Sequence, residues 1–201
     1  YFTNLAHEFK TPLTLIQGPA SQLVRQTTDP KEKEDLQIIN RNAQYLLSLV
    51  NQLIDLRKID TQNLTLNYSQ FNFSKFLNTT ITDFSNLMKE RNISFEKIYR
   101  LKSDHIYSDK ENLHKILFNL LSNAIKHTPD KGKITLHANQ FIDKSNKLMQ
   151  FISVTNSGSI IAPDEIDKIF NRFYRIPEQN KYTNYGQSST GIGLHIVKEL
   201  I

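Results

Sequence analysis

Cysteine is absent from this 201-residue chain, which also lacks a long apolar run and a block of basic residues. Without cysteine there is neither a disulfide framework nor a thiolate metal site, so zinc-finger and thiol chemistry are excluded. No apolar stretch approaches the length that crosses a bilayer, and residues 1–3 lack the features of a signal peptide. We therefore expect contact with a membrane only through segments outside this sequence.

The charge is weakly basic, because 25 lysines and arginines stand against 20 aspartates and glutamates. The net charge of +5 is spread along the chain, so it gives no argument for a nucleic-acid partner, and we expect no direct one. A hydrophobic content of 38% is sufficient for a core. The composition therefore favours an ordinary folded protein.

Two stretches near the N-terminus have helical periodicity. Apolar residues recur at spacings of three and four over residues 3–26, and again over residues 36–53 as a coiled-coil-like seam. Between them, Asp29 is a candidate N-cap and Pro30 stands at the first helical position. The apolar stripe is wider than one partner helix can cover, so the hairpin either dimerises into a four-helix bundle or packs on the rest of the chain. The pattern alone leaves both arrangements open.

The heptad pattern stops in DTQNLTLN, residues 60–67, which predicts a boundary between domains at residues 1–60 and 64–201. Strand-like and helix-like stretches alternate in the second domain, so the predicted fold class is α+β with a mixed sheet. The predicted strands are 66–71, 93–99, 105–107, 133–141 and 148–156, and the predicted helices are 74–91, 110–127 and 164–170.

A polar, aromatic-dotted segment at residues 175–190 is typical of a surface loop. It ends in TGIGL and is followed by an apolar helical stretch, so it leads into a glycine-bearing helix N-terminus. Exposed backbone amides at such a position attract phosphate.

Four polar side chains, Asn119, Asn123, Lys126 and His127, share one face of the predicted helix 110–127. Neutral amide oxygens suit a hard cation such as Mg²⁺ that is shared with phosphates, and an ammonium complements phosphate charge directly. Taken alone, this face is equally consistent with an asparagine-rich solvent surface.

Four motifs together carry a family resemblance. AHEFKTPL (6–13), NLLSNAIKH (119–127), IFNRFYR (169–175) and TGIGL (190–194) resemble, in the same order, the H-box, N-box, F-box and second glycine box of bacterial sensor histidine kinases. The wording of the H-box and the asparagine-type first glycine box are similar to those of Bacteroides-type hybrid sensors. The motifs account for nearly the whole chain.

The resemblance implies a fold for each part. Residues 1–60 would be a dimerisation and histidine-phosphotransfer hairpin that forms a dimeric four-helix bundle. Residues 64–201 would be a Bergerat-type α/β sandwich that binds ATP and is C-terminally incomplete at Ile201.

The resemblance also implies roles within the H-box. His7 would be the phosphoacceptor, because a solvent-facing neutral imidazole is a competent nucleophile near neutral pH. Glu8 would accept its proton as general base, and Thr11, one turn further on, would position water for a phosphatase reaction. Pro12 lacks an amide hydrogen, so we expect the helix to bend after His7.

ATP and Mg²⁺ are the implied cofactors, with magnesium held by Asn119 and Asn123. Phe170 and Phe173 would be core residues that anchor the loop 175–190 as a lid. Asn156 and Ile160 replace the usual aspartate and glycine of the first glycine box NSGSI, and Ser189 replaces a common glycine, so we expect weaker nucleotide binding. The full set of implied nucleotide contacts is Asn119, Asn123, Lys126, His127, Asn156, Gly158, Thr190, Gly191, Gly193 and Leu194.

The function implied is the core of a two-component sensor kinase, which phosphorylates His7 from Mg-ATP. The phosphoryl group would pass to an aspartate of a response-regulator receiver domain, in cis or in trans. The parent would be a homodimeric bacterial inner-membrane sensor with this portion in the cytoplasm.

Two alternatives compete with a kinase. An ATPase or chaperone-like relative would carry a water-activating glutamate where Asn119 stands, and it would lack an H-box. A weak or inactive kinase-like scaffold would act through dimerisation and regulator binding. Four intact residues argue against it: His7, Glu8, Asn119 and Asn123.

Overall fold

The structure is a computed structural model that describes residues 2–61, 64–158, 160–176 and 190–201, with side chains from Glu8 onward. It divides into two compact units, Tyr1–Leu64 and Thr65–Ile201. The first is helical and the second combines helices with sheets. Among the described residues, no helix combines the length and apolarity needed to span a bilayer.

The first unit is a helical hairpin, as its periodicity predicts. Helix α1 is Phe2–Gln26 and helix α2 is Pro30–Asp60. The carboxylate of Asp29 caps α2 by accepting hydrogen bonds from the amides of Lys31 at 2.8 Å and Glu32 at 3.3 Å. The buried apolar side chains of the hairpin are Ala20, Ala43, Val50 and Leu56.

The second unit contains five strands and four further helices in its described residues. The strands are β1 (Tyr68–Asn72), β2 (Ser94–Arg100), β3 (His105–Asp109), β4 (Lys133–Ile142) and β5 (Leu148–Asn156). The helices are α3 (Phe73–Thr82), α4 (Ser85–Glu90), α5 (Lys110–His127) and α6 (Gly193–Leu200).

The strands form two sheets. Strand β1 pairs with β3 in an antiparallel ribbon, and the order of the larger sheet is β2-β4-β5. In that sheet β4 runs parallel to β2 and antiparallel to β5. The predicted α+β class with a mixed sheet is therefore confirmed.

Two predicted helices are wrong. Residues 74–91 form two helices because the amide of Phe84 bonds the carbonyl of Ile81 at 3.0 Å, a tighter turn that buries the Phe84 ring. Residues 164–170 form two single 3₁₀ turns, Pro163–Glu165 and Lys168–Phe170, closed by bonds that span three residues.

One cluster of buried apolar side chains joins α3 and α5 to the inner face of β4. Alternate residues of β4 are buried from Ile134 onward, as expected for a strand with one covered face. Helix α5 buries Leu117, Leu121, Ala124 and Ile125. This orientation leaves the N-box polar residues on the opposite, half-exposed side of α5.

Candidate nucleotide-binding site

The candidate site is built on helix α5, whose start is fixed by Asp109. The Asp109 carboxylate accepts hydrogen bonds from the amides of Asn112 at 2.9 Å and Asn67 at 2.8 Å. Burial acts to raise the pKa of Asp109, but these amides, that of Glu111 and the charge of Lys115 outweigh burial, so the pKa is lowered. The cap therefore stays ionised and holds the register of the N-box helix.

Asn119 lies directly against the start of α6. Its amide nitrogen donates to the carbonyl of Lys115 at 2.9 Å, which leaves the side-chain oxygen to face Gly193. A Cβ atom built on Gly193 would lie 2.6 Å from that oxygen. Glycine is thus the residue that lets the N-terminus of α6 approach the N-box.

The first amides of α6 form one end of the candidate site. Among the side chains that the structure describes, none caps the first amides of this helix. The hydroxyl of Thr190 accepts from the amide of Ile192 at 3.2 Å, which shapes the preceding turn. Helix-terminal amides without a side-chain cap are suited to phosphate oxygens.

Gly191 makes a second close contact, with the F-box. It has φ of +69°, and a Cβ there would lie 2.6 Å from the carbonyl carbon of Phe173. The amide of Phe173 donates to the carbonyl of Gly191 at 2.9 Å. Phe173 itself has a positive φ of 63° and is 63% exposed, so its predicted place in the core is wrong, whereas Phe170 is half-buried.

The charges of Lys126 and Arg175 interact at the C-terminal end of α5. Burial, followed by the positive charge of Arg175, lowers the pKa of Lys126 to about 8. Burial and then the charge of Lys126 also lower the pKa of His127, so this imidazole is neutral at pH 7. Neighbouring positive charges of this kind are suited to a polyanionic ligand.

The NSG sequence begins at the last residue of β5, and its glycine packs on the same end of α5. Gly158 has φ of +150°, and a Cβ there would lie 2.1 Å from the carbonyl oxygen of His127. Asn156, the last residue of β5, is half-buried. Ile160 is 89% exposed, and Ser189 lies outside the described residues.

An arginine that the sequence does not single out fixes the end of α5. Arg91 is buried and donates to the carbonyl oxygens of Ile125 and Thr128, each at 2.7 Å. Its Nε atom lies 2.8 Å from the carboxylate of Asp130. Arg91 therefore holds the turn that follows Lys126 and His127, although a lone arginine at a helix end gives no signal in the sequence.

The H-box lies on α1 in the other unit. The backbone of His7 is helical, its side chain is outside the described residues, and Glu8 and Thr11 are exposed. Helix α1 continues through Pro12. The bend expected after His7 stays a prediction.

These features define a class of protein with two parts. One part is a helical hairpin that carries an H-box sequence, and the other is an α/β unit that brings glycine-rich segments onto a cationic helix. Residues 1–62 match the family described as His Kinase A (phospho-acceptor) domain. Residues 108–201 match the histidine kinase-, DNA gyrase B- and HSP90-like ATPase family. The chain therefore belongs to the sensor histidine kinases, whose two-component kinase core combines these two domains.

Named relatives agree with this assignment. The whole chain is 37% identical to histidine kinase P4 of Formosa agariphila and 33% identical to sensor histidine kinase TmoS of Ectopseudomonas mendocina. It spans only 14% and 20% of the lengths of these relatives.

Solved structures also resemble the chain. Full-length ShkA in complex with AMPPNP superimposes with a TM-score of 0.73 at 25% identity, over 99% of this chain and 40% of ShkA. The catalytic domain of the histidine kinase ThkA matches with a TM-score of 0.54 at 27% identity, over 67% of this chain and 80% of ThkA.

Proposed function

We propose that this core transfers the γ-phosphoryl group of ATP to His7 and then to an aspartate of a receiver domain. The observation that carries the proposal is the close packing of Gly193 on Asn119, which brings the N-terminus of α6 to the N-box. The phosphate chain of ATP would lie alongside these elements, because helix-terminal amides and the ammonium of Lys126 both favour phosphate oxygens.

The residues present also fit Mg²⁺. Asn119 uses its amide nitrogen within α5, so its oxygen is the atom that remains for a ligand, and Asn123 follows one turn further along. Amide oxygens are suitable ligands for a cation shared with phosphates. When bound, Mg²⁺ neutralises charge that develops between the β- and γ-phosphates.

The triphosphate and the adenine occupy opposite ends of the proposed site. Thr190, Gly191, Gly193 and Leu194 supply the amide segment beside Asn119. The contact of Gly158 with the backbone of His127 brings the first glycine box to the other end of α5. We place adenine there, with Asn156 accepting from its amino group and the neutral His127 ring against its face.

His7 acts as the nucleophile in the proposed step. A bond forms between a ring nitrogen and the γ-phosphorus while the bond to the β,γ-bridging oxygen breaks, and ADP leaves with the electron pair. The proton of the other ring nitrogen passes to Glu8. Thr11, on the same helix, positions water for the phosphatase reaction, the hydrolysis of a phosphorylated receiver.

A receiver domain is the proposed second substrate, within the same polypeptide or separate. ThkA, whose fold the chain shares, has been solved in complex with the response regulator TrrA. We further propose that the parent protein is a bacterial inner-membrane sensor with this core on the cytoplasmic side.

A homodimer is the proposed assembly. Large apolar side chains remain exposed along both helices of the hairpin, and a four-helix bundle would cover them.

Light scattering tests this assembly. It should give a dimer for the wild-type chain and for Gln37→Lys, and a monomer for the double variant Leu46→Lys, Leu53→Lys. A monomeric wild-type chain would contradict the assembly. The exposed residues are Phe9, Leu15, Ile16, Leu23, Ile38, Ile39, Leu46 and Leu53.

Labelling with γ-labelled ATP and Mg²⁺ tests the proposed reaction. The wild-type chain should take up label that is acid-labile and stable in alkali, and His7→Gln should take up none while still binding ATP. The absence of label from wild-type chain that binds ATP would refute the reaction and leave the scaffold alternative.

A further inference from the structure

His195 lies in the first turn of α6 and is buried, with 8% of its surface exposed. Its Nε2 atom is 2.8 Å from Nε of Arg172, and its Nδ1 atom is 3.2 Å from the carbonyl oxygen of Phe170. Both partners belong to the F-box. One imidazole ring thus connects the glycine-box helix to two positions of the F-box.

The chemistry of the partners fixes the state of the ring. The Nε atom of arginine only donates hydrogen bonds, so Nε2 of His195 must accept with its lone pair. A carbonyl oxygen only accepts, so the proton of the neutral ring is on Nδ1, which donates to Phe170. Neither bond can be made by an aliphatic side chain, and neither Asn nor Gln can make both.

These bonds join segments that border the proposed phosphate cradle, by which we mean the amide segment 190–194 beside Asn119. The F-box also contacts Gly191, which lies two residues before the start of α6. In this contact the amide of Phe173 donates to the carbonyl of Gly191. The imidazole of His195 therefore forms a second connection on the helix side of Gly193. Together the two connections set the position and tilt of the first amides of α6 relative to the F-box.

We propose that His195 is a positioning residue for phosphoryl transfer, and that its two hydrogen bonds hold the amides of α6 in register with the phosphates. The inference rests on the proposed function, because it assumes that these amides bind the phosphate chain of ATP. A small displacement of oriented groups is sufficient to lower both affinity and rate.

Three substitutions of His195 separate its two bonds. In His195→Asn the amide nitrogen replaces Nδ1 and keeps the bond to Phe170, whereas in His195→Gln the amide oxygen replaces Nε2 and keeps the bond to Arg172. His195→Leu keeps neither. We expect the dissociation constant of Mg-ATP to rise about tenfold in the leucine variant and about threefold in each amide variant. The autophosphorylation rate at saturating ATP should fall in the same order.

His114→Leu is the matched control, because it also removes a histidine hydrogen bond, to the hydroxyl of Thr80 at 3.3 Å, on the other side of α5. It should lower the melting temperature about as much as His195→Leu and leave ATP affinity and rate unchanged. A purely structural role for His195 predicts equal losses of stability and no ranked change in affinity.

Calorimetry with Mg-ATP and labelling are both carried out on the full 201-residue chain. If folded His195→Leu binds ATP and transfers phosphate within twofold of wild type, the positioning role is refuted. If wild type binds ATP but takes up no label, the proposed kinase reaction fails instead, and the ranking of the dissociation constants still decides the role of His195.

Discussion

The charge of Lys126 can be removed with little change of shape by the substitution Lys126→Met. Burial, followed by the charge of Arg175, lowers the pKa of this lysine from 10.5 to about 8. This difference corresponds to about 3.5 kcal/mol at roughly 1.4 kcal/mol per pH unit. Solvent screening of the partly exposed ammonium reduces it to about 1–2 kcal/mol. We expect Lys126→Met to raise the free energy of unfolding at pH 7 by about 1 kcal/mol and to weaken ATP binding at least about tenfold.

The pH dependence of this effect has a definite sign. Between about pH 8 and pH 10.5, the unfolded chain keeps a proton on Lys126 that the folded chain releases, so wild-type stability rises with pH across this window. The gain from the substitution is therefore full below pH 8 and is lost as pH approaches 10.5. Since bound phosphates favour the charged ammonium, ATP binding just above pH 8 should take up a fraction of a proton.

Urea unfolding at about pH 7 and about pH 9.5 measures the stability difference, and calorimetry in two buffers of different ionisation enthalpy measures affinity and proton uptake. The control is Lys89→Met, which removes an exposed lysine and should match wild type in both assays. A loss of stability at pH 7 in Lys126→Met, together with unchanged ATP affinity, would refute the reasoning.

The remaining predictions concern the shape of the site and its support. Gly193→Ala places a methyl group 2.6 Å from the Asn119 oxygen, so calorimetry should show ATP affinity reduced at least about tenfold with the fold retained, and unchanged affinity would contradict the cradle. Arg91→Met removes the donor to the two carbonyls that Arg91 binds, and it should lower the free energy of unfolding in urea by about 2–4 kcal/mol. A loss below about 0.5 kcal/mol, typical of a surface site, would show that Arg91 does not hold this turn. Asn156→Asp should tighten ATP binding through a charge-assisted hydrogen bond, and the account of the altered glycine box is wrong if affinity does not increase.

Local signals allowed parts of the fold to be predicted to the residue. Helix α5 was expected over residues 110–127 and is Lys110–His127, where the structure adds a cap by Asp109 at the start. Strand β5 was expected over residues 148–156, where β-forming residues lie between turns, and is Leu148–Asn156. The break between α3 and α4 depends instead on burying Phe84, a tertiary effect that periodicity does not record.

The candidate site was predictable in its residue types but not in its contacts. Ordered motifs identified the N-box and glycine boxes, and the structure brings Asn119 to Gly193 and Gly158 to His127. These pairs are far apart in sequence, so no local pattern gives their distances. Arg91 and His195 were missed because their importance comes from partners that only the folded chain supplies. The roles assigned to the site residues remain predictions.

The central claim is that the γ-phosphoryl group of ATP is transferred to His7. Mass spectrometry of peptides from the chain after incubation with Mg-ATP, under conditions that preserve phosphohistidine, tests it most directly. The account predicts one phosphoryl group on His7, which disappears when Asn123→Ala removes a proposed magnesium ligand. Phosphorylation at another residue, or none in a chain that binds ATP, would contradict it.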